Sequence, residues 1–149
     1  MAQSPKGYPM TARPTILLAL LMPLAATAAA AAEPKAFACS FPAGVMHAYD
    51  KGRFAEEKAS PIAFGIAAID TKAQTAELRT ESGTGTLRVV QAVNAMHFLE
   101  VAGEGFLHIT TIYDKDEAKG AHPAVHSRHF GILGQPLVTQ YHGYCEAKG

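Results

Sequence analysis

The chain has no tryptophan, only two cysteines, and no excess of either charge: 13 lysines and arginines stand against 13 aspartates and glutamates. Each shortage excludes something. Without a basic excess there is no electrostatic footprint for a nucleic-acid partner. Cys39 and Cys145 lie near opposite ends of the chain, whereas a metal-ligating or redox pair is usually closely spaced, as in C-x-x-C. No G-x-S-x-G elbow presents a nucleophile, and Gly83-Thr84-Gly85 lacks the strand-to-helix setting of a phosphate loop. The acidic groups Glu56-Glu57 and Asp114, Asp116, Glu117 sit in stretches that read as solvated loops rather than as an acid–base pair. No residue is assigned a catalytic role, and enzyme activity has no support in the sequence.

Acids are also absent from residues 1–32, which carry only Lys6 and Arg13 as charged groups. The run Ile16, Leu17, Leu18, Ala19, Leu20, Leu21, Met22 is the apolar centre of a secretory signal peptide, and the alanines through Ala32 offer several A-x-A cleavage frames. Residues 1–32 are therefore expected to be removed and residues 33–149 to form one domain in the periplasm or outside the cell, with no stable membrane span after processing. Ala38 precedes Cys39, but Phe37, Lys35, Pro34 and Glu33 separate that cysteine from the apolar run, so Cys39 reads as structural rather than lipidated. Lys6 and Arg13 leave with the leader, so the mature chain keeps 11 basic residues against 13 acids. In an oxidising compartment the two cysteines are expected to form one disulfide. By the chain-entropy argument, closing a loop of about 107 residues stabilises the fold by about 4–5 kcal/mol.

What the mature chain does contain is short apolar runs in two-residue alternation, broken by Gly, Pro, Asp and Asn. Phe37, Cys39 and Phe41 form the first run, with Pro42 and Gly44 as its stop. Residues 45–60 are the least regular and read as a solvated turn or short helix around Glu56, Glu57 and Lys58. Residues 61–70 are apolar at both parities, which predicts a strand covered on each side. Asp70 begins a hairpin connection with Asx-turn chemistry, and Ser82-Gly83-Thr84-Gly85 is the next turn. Alternation continues through residues 87–101, and Gly103-Glu104-Gly105 breaks it before a β-branched and aromatic run over 106–113. A charged surface loop over 114–120 precedes two final runs, 125–133 and 137–145. Seven or eight strands with short turns predict an all-β fold, a small antiparallel up-and-down barrel, with a two-sheet β-sandwich as the alternative. In an eight-stranded barrel the first and last strands are neighbours, which would set Cys39 beside Cys145.

All seven histidines fall in the mature domain. On a helix, His122, His126 and His129 would share a face and could hold Zn or Cu. Val125, Phe130, Ile132 and Leu133 favour a strand, on which His126 and His129 point to opposite faces. The strand leaves at most a weak two-ligand site, with His122 joining one of them or His142. No cofactor is expected on that reading; Zn or Cu is the alternative. His97 and His108 lie on neighbouring strands and are candidates for a cross-strand polar pair. The partner is open, either a small ligand or a protein of the cell envelope.

The segments Thr110-Thr111-Ile112-Tyr113, Ala124-Val125-His126-Ser127-Arg128-His129 and Gln140-Tyr141-x-Gly143-x-Cys145 resemble a group of small secreted bacterial β-proteins that have no assigned activity. In size, export and early-to-late cysteine pairing the chain is also similar in form to periplasmic inhibitors of C-type lysozyme. That resemblance implies a protein partner, but the inhibitory Ser-Gly-x-x-Tyr pattern is not matched, because Thr84-Gly85-Thr86 follows Ser82-Gly83.

Overall fold

A computed structural model describes residues 33–132 and 134–149; the leader expected over 1–32, and Leu133 at the end of one apolar run, lie outside them. Among the described residues nine strands form: β1 (Ala36–Asp50), β2 (Arg53–Ala59), β3 (Ile62–Asp70), β4 (Thr75–Thr80), β5 (Gly83–Gln91), β6 (Ala95–Val101), β7 (Leu107–Tyr113), β8 (His122–Ile132) and β9 (Gln135–Lys148). All pairings are antiparallel, and β1, β3 and β4 through β9 close into an eight-stranded barrel through β1 against β9. The sandwich alternative is set aside by that closure. Among the described residues no helix is long and apolar enough to cross a membrane.

Local chemistry explains the hairpins. Lys51 and Gly52 both take positive φ, 48° and 83°, which suits a two-residue hairpin between Asp50 and Arg53. Asp70 Oδ1 accepts from the Lys72 and Ala73 amides at 2.9 and 2.8 Å, the Asx turn expected from its sequence. Asp116 does the same for Ala118 and Lys119 in the charged loop before β8.

Four local expectations need correction. Pro42 and Gly44 do not end the first strand. Phe41 and Pro42 together oppose Gly143, a bulge that leaves the proline without a ladder bond to make. Residues 45–60 are not a turn or short helix but the outer half of β1 and all of β2, an edge strand. The strand over 61–70 is not covered on both faces. A bulge between Ala67 and Asp70, with Ala68 at φ 49°, switches parity, so that Ile62, Phe64, Ile66 and then Ile69 all turn inward. The turn expected at residues 82–85 is Glu81-Ser82 alone, and Gly83 to Gly85 open β5.

Inside, Phe41, Phe98, Ile66, Val89 and Cys145 are fully buried and fill the barrel. Cys39 and Cys145 are directly opposite in the β1–β9 register and form the disulfide, which joins the first strand to the last. Gly143 matters for that closure. A Cβ there would run into the backbone of Ser40 and Phe41 at the bulge, so only glycine lets β9 approach β1 so closely.

Candidate functional site

Strand alternation sends the even-numbered residues of β6, β7 and β8 into the barrel, and register stacks them in layers. One layer is apolar: Met96, Ile112 and Ala124. Above it Phe98, Thr110, His126 and Tyr141 follow one another from β6 to β9, and Tyr141 meets Gly44 on β1. A Cβ at Gly44 would strike the Tyr141 ring. The next layer, Glu100, His108, Arg128 and Thr139, is polar.

This polar layer lies toward the end of the barrel that carries the β4–β5, β6–β7 and β8–β9 turns. The rim there is uneven: β4 has 6 residues, while β8 and β9 have 11 and 14. Below the short β4–β5 side is a cavity of about 40 Å³ bounded by Phe64, Leu78, Glu100, His108, His126 and Arg128. It adjoins an open concavity of about 280 Å³ at Thr80, Ser82, Gly85, Glu100, His108 and Arg128.

His126 sits at the floor, 5 % exposed. Arg128 Nε donates to its Nε2 at 3.3 Å; arginine has no acceptor, so Nε2 is the bare nitrogen and Nδ1–H donates to Thr110 Oγ1 at 2.9 Å. Burial among Phe41, Phe64 and Tyr141, and then the nearby charges of Arg128 and His108, push its pKa down to about 3. His126 is therefore a neutral structural ring that positions Arg128. The Arg128 guanidinium also lies 5.6 Å from the Tyr141 ring centroid, within cation–π range.

His108 faces a carboxylate across the β6–β7 hairpin, with Nδ1 2.9 Å from Glu100 Oε2 and both side chains about one-fifth exposed or less. The other oxygen, Glu100 Oε1, lies against Gly85, where an added Cβ would come within 2.9 Å of it. His108 Nε2 is buried and has no hydrogen-bond partner among the described residues.

The sequence candidates fall elsewhere or pair differently. His97 points away from the barrel interior and is opposite Thr111, whose hydroxyl lies 3.0 Å from Nδ1. It does not pair with His108, because the hairpin register sets Glu100 there instead. His122 donates Nδ1–H to the Tyr113 carbonyl at 2.8 Å and packs on Phe37. His126 is buried and His129 exposed, as their odd spacing on a strand requires, while His142 is exposed opposite Val125. The proposed ligand set His122, His126, His129 and His142 is thus dispersed over both faces of the wall, and no group of three or more His, Cys, Asp or Glu side chains among the described residues could hold a metal ion. Glu100, Thr110 and Arg128 are the residues that sequence reasoning missed; their signal was shared parity with Phe98, Ile112 and Ala124. No protein-family model matches the chain, and no curated protein is similar to it in sequence.

Proposed function

We propose that this chain is an exported protein of the cell envelope, periplasmic or secreted, that works as a binding module, with the open end of the barrel as its binding surface. The observation that carries this reading is the inward-facing polar layer of Glu100, His108 and Arg128 beneath an uneven rim. Three ionisable side chains aimed into a barrel are costly to maintain unless something outside the fold uses them. Export is supported by the leader pattern and by a disulfide clasping the two end strands, which suits an oxidising compartment.

The test is native purification from the exporting cell with mass spectrometry of whatever remains bound, repeated with Glu100→Gln/Arg128→Gln. A mature chain starting between about residues 29 and 36, carrying a ligand or protein that the double variant loses, is the expected result. C-type lysozyme, implied by the resemblance in form, is one protein to include. A leader still attached defeats the export reading, and a bare monomer from wild type and variant alike defeats the binding reading.

A further inference from the structure

We infer that the barrel mouth binds a carboxylate, gripped by the guanidinium of Arg128 and by Nε2–H of His108; this rests on the mouth being the binding surface. Arg128 is partly buried, yet among the described residues no carboxylate lies within ion-pair distance of it. Its Nε is committed to His126 and its face to Tyr141, which fixes the plane of the fork and leaves the terminal amino groups for an acceptor. An arginine held in this way without a counter-ion is unusual, because buried charges are normally paired.

The second donor stands beside it in register. His108 is directly opposite Arg128 on the neighbouring strand, and both line the same cavity. Glu100 occupies its Nδ1, so the buried and unpartnered Nε2 is the atom left to meet a ligand. The ring would then stand between two carboxylates, one of the protein and one of the ligand.

The same geometry selects the kind of anion. Glu100 lines the site with a negative charge of its own, which disfavours a doubly charged phosphate near it. The cavity of about 40 Å³ has room for one small planar head and no acyl chain, and the interior below it is filled by Phe41, Phe98 and Val89. The remainder of the ligand must therefore stay outside the barrel. Either a small organic acid or the C-terminus of a peptide presents such a head.

The test uses the oxidised mature protein, labelled with ¹⁵N, and follows the Arg128 Nε and His108 ring signals. Acetate represents the small acid; triglycine with a free or an amidated C-terminus represents the peptide; acetamide and inorganic phosphate are the controls. Saturable shifts of both residues with acetate or free triglycine, and none with the amides, are expected. Arg128→Gln should weaken binding about tenfold or more, the loss of one charge-assisted contact, and Arg128→Lys should fall between, since it keeps charge without the fork. Should Arg128→Gln fail to fold, the lysine variant and the paired amides decide the matter. No saturable shift, equal response to the amides, or tighter phosphate than acetate overturns the inference. If a neutral ligand is nevertheless retained at the mouth in native purification, the binding module stands and only the carboxylate falls.

Discussion

Lowering the pH from 7.5 to 5 should destabilise the barrel through His126 alone by about 2 kcal/mol, in advance of ordinary acid unfolding. The sign follows from where the proton binds. In the unfolded chain His126 titrates at 6.5, whereas in the barrel its pKa lies near 3. Between those values the unfolded state takes up a proton that the folded state refuses, so stability present above pH 6.5 is lost as pH falls toward 3. Each pH unit in that window removes about 1.4 kcal/mol, to a limit of about 5 kcal/mol. Protonation would also place a cation against Arg128 and turn Nε2 from acceptor to donor, which breaks the contact at 3.3 Å.

Urea unfolding of the oxidised domain at pH 7.5, 6.5, 5.5 and 5.0, for wild type and His126→Gln, isolates this contribution. Glutamine can still donate to Thr110 and accept from Arg128, but it does not titrate. The variant is less stable at pH 7.5, and the gap to wild type should narrow by about 2 kcal/mol at pH 5. The carboxylates held low by hydrogen bonds, Glu33 by the Thr71 hydroxyl, Asp70 by the Ala73 amide and Glu146 by Lys148, lose their contribution only as pH falls through their own lowered values, below this range. A gap that stays constant from pH 7.5 to 5 refutes the reasoning, because His126 would then titrate alike in the folded and unfolded states.

Three further outcomes are expected. Freshly isolated oxidised protein shows no free thiol, and Cys145→Ser lowers stability by about 4–5 kcal/mol in urea, as loss of a clasp between residues 106 apart implies; a variant as stable as wild type removes the closure argument. Gly143→Ala, which sets a methyl group against the backbone of Ser40 and Phe41, costs about 1–3 kcal/mol or more by thermal or urea unfolding, while an alanine at Gly103, with open space around it, changes little. Calorimetric titration with Zn finds no tight stoichiometric site; tight binding that the combined His122→Ala, His126→Ala and His129→Ala substitutions abolish would overturn the dispersed arrangement of these rings.

The barrel was legible in the sequence where a strand has one buried face and a turn residue at each end. Phe37, Cys39 and Phe41, then Leu87 and Val89, alternate as the buried positions of β1 and β5 do. Asp70 announced its turn because its side chain builds the hydrogen bonds by itself. Bulges were hidden for a physical reason. Pro42 reads as a stop because it cannot donate to a ladder, yet opposite Gly143 the ladder asks nothing of it. Ala68 hides the second bulge, since no glycine marks its positive φ. β2 was invisible for a different cause: it pairs with β1 alone, and every residue but Ala59 is exposed, so no alternation is imposed on Phe54 through Lys58.

The site was legible in part, as far as the faces of the strands but not their pairing. Alternation through residues 87–101 already sets Glu100 on the face of Met96 and Phe98, but parity alone gives neither Glu100 nor Arg128 a role, and it leaves His97 as a candidate partner of His108. The barrel keeps that parity: Glu100 points in with Met96 and Phe98, and Arg128 with Ala124 and His126. The pairing itself needs more than parity. Whether His108 meets Glu100 or His97 depends on how far the β6–β7 hairpin extends, and the 3₁₀ turn Gly103–Gly105 sets that length by joining Val101 to Leu107. A hairpin one residue out of step would turn every side chain of β7 to the other face, so the His108–Glu100 contact and the burial of Ile112 are decided together. The polar mouth and the apolar core are therefore two readings of one register, and a substitution that shifts the β6–β7 turn should disturb both at once.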